Sequence, residues 1–257
     1  MRLLETQGIS INFGGLKAVD EVDTHIDEGE IVSLIGPNGA GKTTFFNLIT
    51  GFLRPTKGKV FYLGKELTGL PAHQIAANGM VRTFQKTNIF SEVTVKEGIC
   101  IGFHMKRKCG IWQILLNGRA AKKEHAQIEQ RTSEILSFTG LTSWAGFRGK
   151  NLPYGKQRIL EIAVALAAYP RLLLLDEPAT GLNPKETQEL IDLIRRVREE
   201  RGVTVCLIEH NMKVVIGISN RIIVLNDGKK ITDGTPEEIS KDKAVIEAYL
   251  GRGFANA

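Results

Sequence analysis

The sequence predicts an α/β fold: a core with a mainly parallel sheet, an antiparallel β subdomain at the N-terminus and an inserted helical subdomain. Three observations carry this. Gly36-Pro-Asn-Gly-Ala-Gly-Lys-Thr43 fits G-x-x-x-x-G-K-[ST] and lies between an apolar run, Ile31–Ile35, and a helix-like run from Thr43 to Ile49, the strand, loop and helix setting that this pattern requires. After residue 157 short apolar runs alternate with helical stretches of roughly ten residues, as in parallel βα units. Between residues 86 and 151 the alternation gives way to helical spacing alone.

Taken in order, Leu3–Phe13 and Ala18–Ile26, broken by Gly14-Gly15 and by Asp and Glu, read as antiparallel strands and turns. Ile31–Ile35 is a buried strand, and the helix after the glycine-rich loop ends near Gly51. Pro55-Thr-Lys-Gly58 is a turn before a strand at Lys59–Leu63, and Leu70–Asn78 has helical spacing. In the insertion, Ala120–Thr139 can place Ala121, His125, Ile128, Ile135 and Leu136 on one helix face. Helix 157–168, strand 171–175, helix 184–200, strand 203–208, helix 212–218 and strand 221–226 complete the alternation. No repeat of about 20–50 residues is evident. The expected division of the single domain is 1–85 and 157–257 for the α/β core with its β subdomain, and 86–156 for the helical subdomain.

The chain of 257 residues, 42% hydrophobic and 24% charged, has an ordinary globular composition. Its three cysteines, Cys100, Cys109 and Cys206, form an odd set without C-x-x-C spacing, which argues against a disulfide framework or a zinc site and for a reducing compartment. The opening residues lack a signal-peptide layout, and the longest apolar run, Ile162–Tyr169, is too short to span a bilayer. The net charge of +6 is concentrated between residues 86 and 151, where 11 Lys and Arg face 5 Asp and Glu. Lys106-Arg-Lys108 and Lys122-Lys123 suit either a solvated helical surface or acidic partner loops and anionic headgroups. The charge is modest and, apart from Trp112, has no interleaved aromatics, so no nucleic-acid partner is expected.

The loop at Gly36 points to nucleotide binding. Gly36, Gly39 and Gly41 supply backbone angles closed to other residues, so that successive N–H groups from Asn38 and Ala40 through Thr44 converge on phosphate oxygens at the positive end of a helix. Lys42 adds a charge for the β- and γ-phosphates, and Thr43 offers a hydroxyl to the accompanying magnesium ion. Leu172-Leu-Leu-Leu-Asp176 is a buried-strand run ending in a carboxylate suited to that ion, and Glu177 is placed to take a proton from an attacking water. Read alone, Asp176 and Glu177 would equally be the cap of a strand. His210 follows the run Val203–Ile208; in a parallel order the ends after Ile35, Leu175 and Ile208 open at one sheet edge, within reach of the same phosphate. Gln85, ending Val-Arg-Thr-Phe-Gln, is a further ligand for metal or water, or an ordinary surface amide.

The ordered set Gly36–Thr43, Gln85, Leu152-Pro-Tyr-Gly-Lys-Gln-Arg158, Leu172–Pro178 and His210 resembles the ATP-binding cassette ATPases of ABC transporters over nearly the whole chain, implying a P-loop NTPase core. The resemblance implies ATP and Mg2+ as ligands, with Lys42, Glu177 and His210 catalytic and Thr43, Gln85 and Asp176 about the metal. It gives Phe13 as the aromatic that stacks on adenine, the alternative being an edge-strand core residue. Ala179-Thr-Gly181-Leu182-Asn183 is similar to the D-loop, with Asn183 in place of the usual Asp. It further implies head-to-tail pairing, each ATP lying between one subunit's phosphate loop and the other's signature, here Pro153, Tyr154, Gly155 and Lys156. This signature departs from Leu-Ser-Gly-Gly-Gln: Pro153 has neither the Ser hydroxyl nor an N–H, which leaves the helix end and the Gly155 N–H for phosphate.

Val81–Gln85, the Tyr of Leu-Pro-Tyr-Gly, Gly181–Thr187 and Ile208-Glu-His-Asn-Met212 resemble the G-type ATPase of LIV-type branched-chain amino-acid importers. That implies a second cassette ATPase, two membrane permeases and an extracytoplasmic solute-binding protein, with this chain peripheral on the cytoplasmic membrane face. The alternatives are a cassette for urea, amides, lipid or polysaccharide, or a soluble ATP-gated clamp. Such clamps usually carry two fused cassettes or a long coiled coil, whereas this chain has one phosphate loop and no heptad run.

Overall fold

The computed structural model describes residues 1–83, 91–103 and 119–250. It divides into two compact units, 1–82 with 171–257 and 83–170.

The first unit contains two sheets. Strands β1 (Arg2–Phe13), β2 (Leu16–Asp27), β4 (Lys57–Tyr62) and β5 (Lys65–Glu66) form an antiparallel sheet in the order β2-β1-β4-β5. Strand β1 changes register several times along β2, as bulges do where a long hairpin must twist. The second sheet has the order β10-β9-β3-β8-β7-β6. Here β3 (Ile31–Ile35), β7 (Leu172–Asp176) and β8 (Thr204–Ile208) are buried along their full length, which explains their unbroken apolar runs: a parallel strand covered on both faces has no polar side to present. Strands β6 (Met80–Arg82) and β9 (Arg221–Asn226) join them in parallel. Strand β10 (Lys229–Gly234) is the antiparallel edge, reached through Asp227-Gly228, both with positive φ, +47° and +78°, the dipeptide that a tight right-twisting hairpin favours.

Helix α1 (Lys42–Ile49) contributes Phe45, Phe46, Leu48 and Ile49 to an apolar cluster shared with residues of both sheets, among them Leu3, Ile9, Val60, Leu34 and Leu174. A second cluster joins Ile35 to Val215, Ile222, Val224, Ile239 and Val245. It uses two C-terminal helices, Pro236–Lys241 and Lys243–Leu250, that follow the last predicted strand and were not expected. Helix Pro184–Arg201 begins on a capping box, Asn183 accepting from the Lys185 and Glu186 amides at 3.0 Å each, and ends at Gly202 with φ +64°; both signals are those that start and stop a helix.

The second unit holds helices Val95–Gly102, Arg119–Phe138 and Tyr154–Ala167. The last starts at Tyr154 rather than at the expected Gln157, because extended Pro153 is its N-cap and the Gln157 amide closes the first turn on the Pro153 carbonyl at 3.0 Å. It belongs with the helical unit, not with the core from residue 157 on, since its backbone closely approaches helix 95–102: a Cβ on Gly102 would lie 2.4 Å from the Val164 carbonyl oxygen. In helix 119–138 the buried side is Thr132, Ile135, Leu136 and Phe138 with Ile128 half-buried. His125 is exposed, because the apolar stripe drifts away from it toward Thr132, whose hydroxyl is satisfied by the Ile128 carbonyl at 2.7 Å. Among the described residues no helix is long and apolar enough to cross a membrane.

Candidate active site

Parallel pairing decides where the chemistry gathers. Leu34 lies opposite Ile208, and Ile208 opposite Asp176, so β3, β8 and β7 end level, side by side. The loop 36–41, the pair Glu209-His210 and the pair Asp176-Glu177 therefore leave one sheet edge together, where ligands of open α/β sheets are held.

Gly36, Gly39 and Gly41 have φ of +152°, +84° and +94°. At Gly36 a Cβ would meet the Leu225 carbonyl at 2.1 Å, and at Gly41 the Ala18 carbonyl at 2.4 Å, so both need the absence of a side chain as well as the angle. Ala40 is fully buried; its amide donates to the Pro37 carbonyl and its carbonyl accepts from the Gly228 amide. Gly41 caps α1 without a side-chain bond, and the first turn has no acidic residue, leaving the positive helix end to an outside anion. The buried Lys42 ammonium donates to the Gly36 and Pro37 carbonyls at 2.7 and 3.0 Å. Burial pushes its pKa below the ordinary lysine value, while the Glu177 and Asp176 carboxylates pull it upward. Asn38 and Thr43 are exposed and Thr44 is half-buried. This donor set fits a polyphosphate.

Asp176, 7% exposed, accepts a hydrogen bond on Oδ2 from the Arg82 guanidinium at 2.7 Å. The other arm of Arg82 donates to Asn47 Oδ1 at 2.6 Å, and its guanidinium lies 5.6 Å from the Phe46 ring centroid. Glu177 sits in the left-handed region at φ +48°, a conformation that stores about 1–3 kcal/mol in a residue with a side chain. Its amide donates to the Ile208 carbonyl at 3.0 Å and its carbonyl accepts from the Thr180 amide, which together hold the angle. Glu177 Oε1 is 3.6 Å from His210 Nδ1.

Phe13, at the tip of the β1–β2 hairpin, is 49% exposed; it is not a core residue and its ring is open to stacking. Gly181 has φ +80° in a turn closed by the Leu182 amide on the Ala179 carbonyl. Asn183 caps the following helix, a task in which Asn and Asp are equivalent. In the second unit Pro153 precedes the helix start, Gly155 is buried and Lys156 half-buried. Tyr154 turns its hydroxyl to Arg158 at 2.6 Å with the guanidinium 5.1 Å from its ring centroid. Gln85 and Lys106–Lys108 lie outside the described residues. Beside the phosphate loop, the buried charged side chains of Arg82 and Glu209 escaped sequence reasoning. The available signal was a charged residue inside or abutting an apolar strand run, which demands a partner.

The ABC transporter family profile matches residues 19–180. The chain belongs to the ABC transporter family. A second profile, branched-chain amino acid ATP-binding cassette transporter, matches residues 229–255 of the cassette. Over 249 residues the cassette is 48% identical to the high-affinity branched-chain amino acid transport ATP-binding protein LivG of Salmonella typhimurium, covering 97% of this chain and 98% of that one. The crystal structure of the ADP conformation of MJ1267, an ATP-binding cassette of an ABC transporter, superposes with a TM-score of 0.85 at 30% identity over 98% of this chain and 99% of that one. The dimeric structure of a post-hydrolysis state of the cassette MJ0796, bound to ADP and Pi, is similar with a TM-score of 0.76 and 25% identity over 91% of this chain and 99% of that one. The cassette is an ATP-binding ATPase of a membrane transporter.

Proposed function

We propose that the cassette energises uptake of branched-chain amino acids, as one of two cassette ATPases on the cytoplasmic face of a pair of membrane permeases fed by an extracytoplasmic solute-binding protein. The observation that carries the substrate is the 48% identity to LivG along 97% of the chain, supported by the C-terminal match at residues 229–255. The test is to purify the tagged chain from gently solubilised native membranes and identify its companions by mass. Two multi-span permeases and a second cassette are expected, and the cognate binding protein should then bind leucine, isoleucine or valine. A binding protein that takes urea or an amide instead rejects the substrate, and recovery of ribosomal or DNA-bound proteins rejects transport.

In this reading the amides of residues 38, 39 and 41–44 and the Lys42 ammonium bind the phosphates, the Ala40 amide being spent on the Pro37 carbonyl, and Phe13 stacks on adenine. Thr43, Asp176 and Gln85 would hold Mg2+, which supplies charge neutralisation on the phosphate oxygens. Glu177 accepts a proton from the water whose oxygen bonds to the γ-phosphorus as the bond to the bridging oxygen breaks and ADP leaves with the electron pair. His210, beside Glu177, orients the water and the γ-phosphate. The signature residues 153–156 and the D-loop residues 181–183 act on the nucleotide of the paired cassette.

Because Pro153 lacks both an N–H and a hydroxyl, that pairing is held by the helix end and the Gly155 amide. Pro153→Ser should strengthen ATP-dependent dimerisation, and it adds a good N-cap. Analytical ultracentrifugation with ATP checks this: an unchanged dimerisation constant would mean that the missing hydroxyl at position 153 does not limit pairing.

A further inference from the structure

Glu209 lies between the last residue of β8 and His210 and is only 1% exposed. Its two carboxylate oxygens serve different loops. Oε1 accepts the Ala179 amide at 2.8 Å, in the segment that begins with Glu177 and runs through Asn183. Oε2 accepts the amides of His210 and Asn211 at 3.1 and 3.3 Å. Buried anions persist where backbone donors converge on them, and here three do. The Glu177 amide, bonded to the Ile208 carbonyl at 3.0 Å, makes a second tie where the two loops begin, two residues before Ala179 and one before Glu209. The 3.6 Å approach of His210 Nδ1 to Glu177 Oε1 is thus bracketed by bonds that Glu209 makes to the backbone on either side of it.

We propose that Glu209 is a positioning residue that fixes His210 against Glu177, clamping the loop of residues 177–183 to the loop of residues 209–211 so that they move as one body. The inference rests on the roles given to Glu177 and His210 above. It assigns Glu209 no contact with the nucleotide. The requirement is for an acceptor at both ends: a glutamine keeps one oxygen and presents an amide donor where the other loop offers only N–H groups, so one loop is released.

In Glu209→Gln, amide hydrogen exchange of the nucleotide-free protein should quicken at Ala179 or at His210 and Asn211. The kcat for ATP should fall by up to about 100-fold, the loss that a misplacement of about 1 Å can produce, with KM and nucleotide affinity unchanged. The deciding measurement is a double-mutant cycle. If Glu209 acts through His210, the Glu209→Gln loss disappears in a His210→Ala background. Equal losses in both backgrounds, or full turnover with unaltered exchange in Glu209→Gln, overturn the proposal. His210→Ala at wild-type turnover would instead overturn the catalytic reading itself, and the inference with it. Should Glu209→Gln not fold, Glu209→Asp keeps both acceptor oxygens but is one methylene too short for both loops, and the same cycle applies.

Discussion

Glu177→Gln should bind ATP as the parent does and hydrolyse almost none of it. The substitution is isosteric and leaves the backbone bonds that hold Glu177 at φ +48° in place, the amide on Ile208 and the carbonyl under Thr180. The phosphate-binding donors on residues 36–44 belong to other elements, so nucleotide affinity has no reason to fall. What is lost is the acceptor for the water proton, and removing a positioned base costs about 10²–10⁴-fold. Single-turnover release of phosphate together with binding of a fluorescent nucleotide measures both halves. Turnover within about tenfold of the parent would exclude Glu177 as the base. There is a second signature. Burial lowers the Lys42 pKa, and Glu177 is the first of the groups that counter it. In the variant the lysine should lose its proton at a lower pH than in the parent. The alkaline limb of nucleotide binding should shift toward neutrality with it.

Arg82→Met should be strongly destabilising. The Arg82–Asp176 pair is 2.7 Å long with each side chain 7% exposed, and removing one partner leaves a carboxylate in a dry place, which costs about 3–5 kcal/mol. For a chain of this size that is a fall in Tm of roughly 6–20 °C. Adding Asp176→Asn to Arg82→Met should recover much of the loss, since no charge then stays buried. Arg82→Lys should recover less, because one ammonium cannot span both Asn47 and Asp176 as the two arms of the guanidinium do. Thermal unfolding of the four proteins decides it. A single variant as stable as the parent would mean that water already reaches Asp176. The arrangement also leaves Oδ1 as the oxygen of Asp176 not spent on Arg82, so the strand end keeps acceptor capacity for a cation.

Where the sequence carried its own explanation, the fold was legible. Ile31–Ile35, Leu172–Asp176 and Thr204–Ile208 are apolar without interruption because each is covered on both faces, and their parallel pairing puts the three loops at one edge as expected. The glycines of the phosphate loop were legible because all three take positive φ, and at Gly36 and Gly41 the facing carbonyls leave no room for a Cβ. What escaped depended on distant partners. Strand β6 is three residues long, too short for any periodicity, and exists because β7 offers it a ladder. Arg82 looks like a surface residue until its register is known: it lies opposite Leu174, two residues from Asp176 and thus beside a side chain on the same face. Glu209 resembles a loop residue until the Ala179 amide, 30 positions earlier, is seen to need an acceptor. The helix start at Tyr154 was hidden by Pro153, which fits the first turn and the cap alike.

The central position of β3 has a consequence for how the protein is made. Both neighbours of this strand, β8 and β9, come from beyond residue 203, and the phosphate loop that follows it rests on β9 and the turn after it, through the Leu225 carbonyl at Gly36 and the Gly228 amide on Ala40. A ribosome that has finished the glycine-rich loop has therefore made a sequence with no walls, and must synthesise roughly 190 further residues, at several per second, before the strands that flank the loop emerge. Nascent chains arrested before Gly228 should be unable to retain ATP, and the order of synthesis itself keeps an unfinished motor from turning over nucleotide.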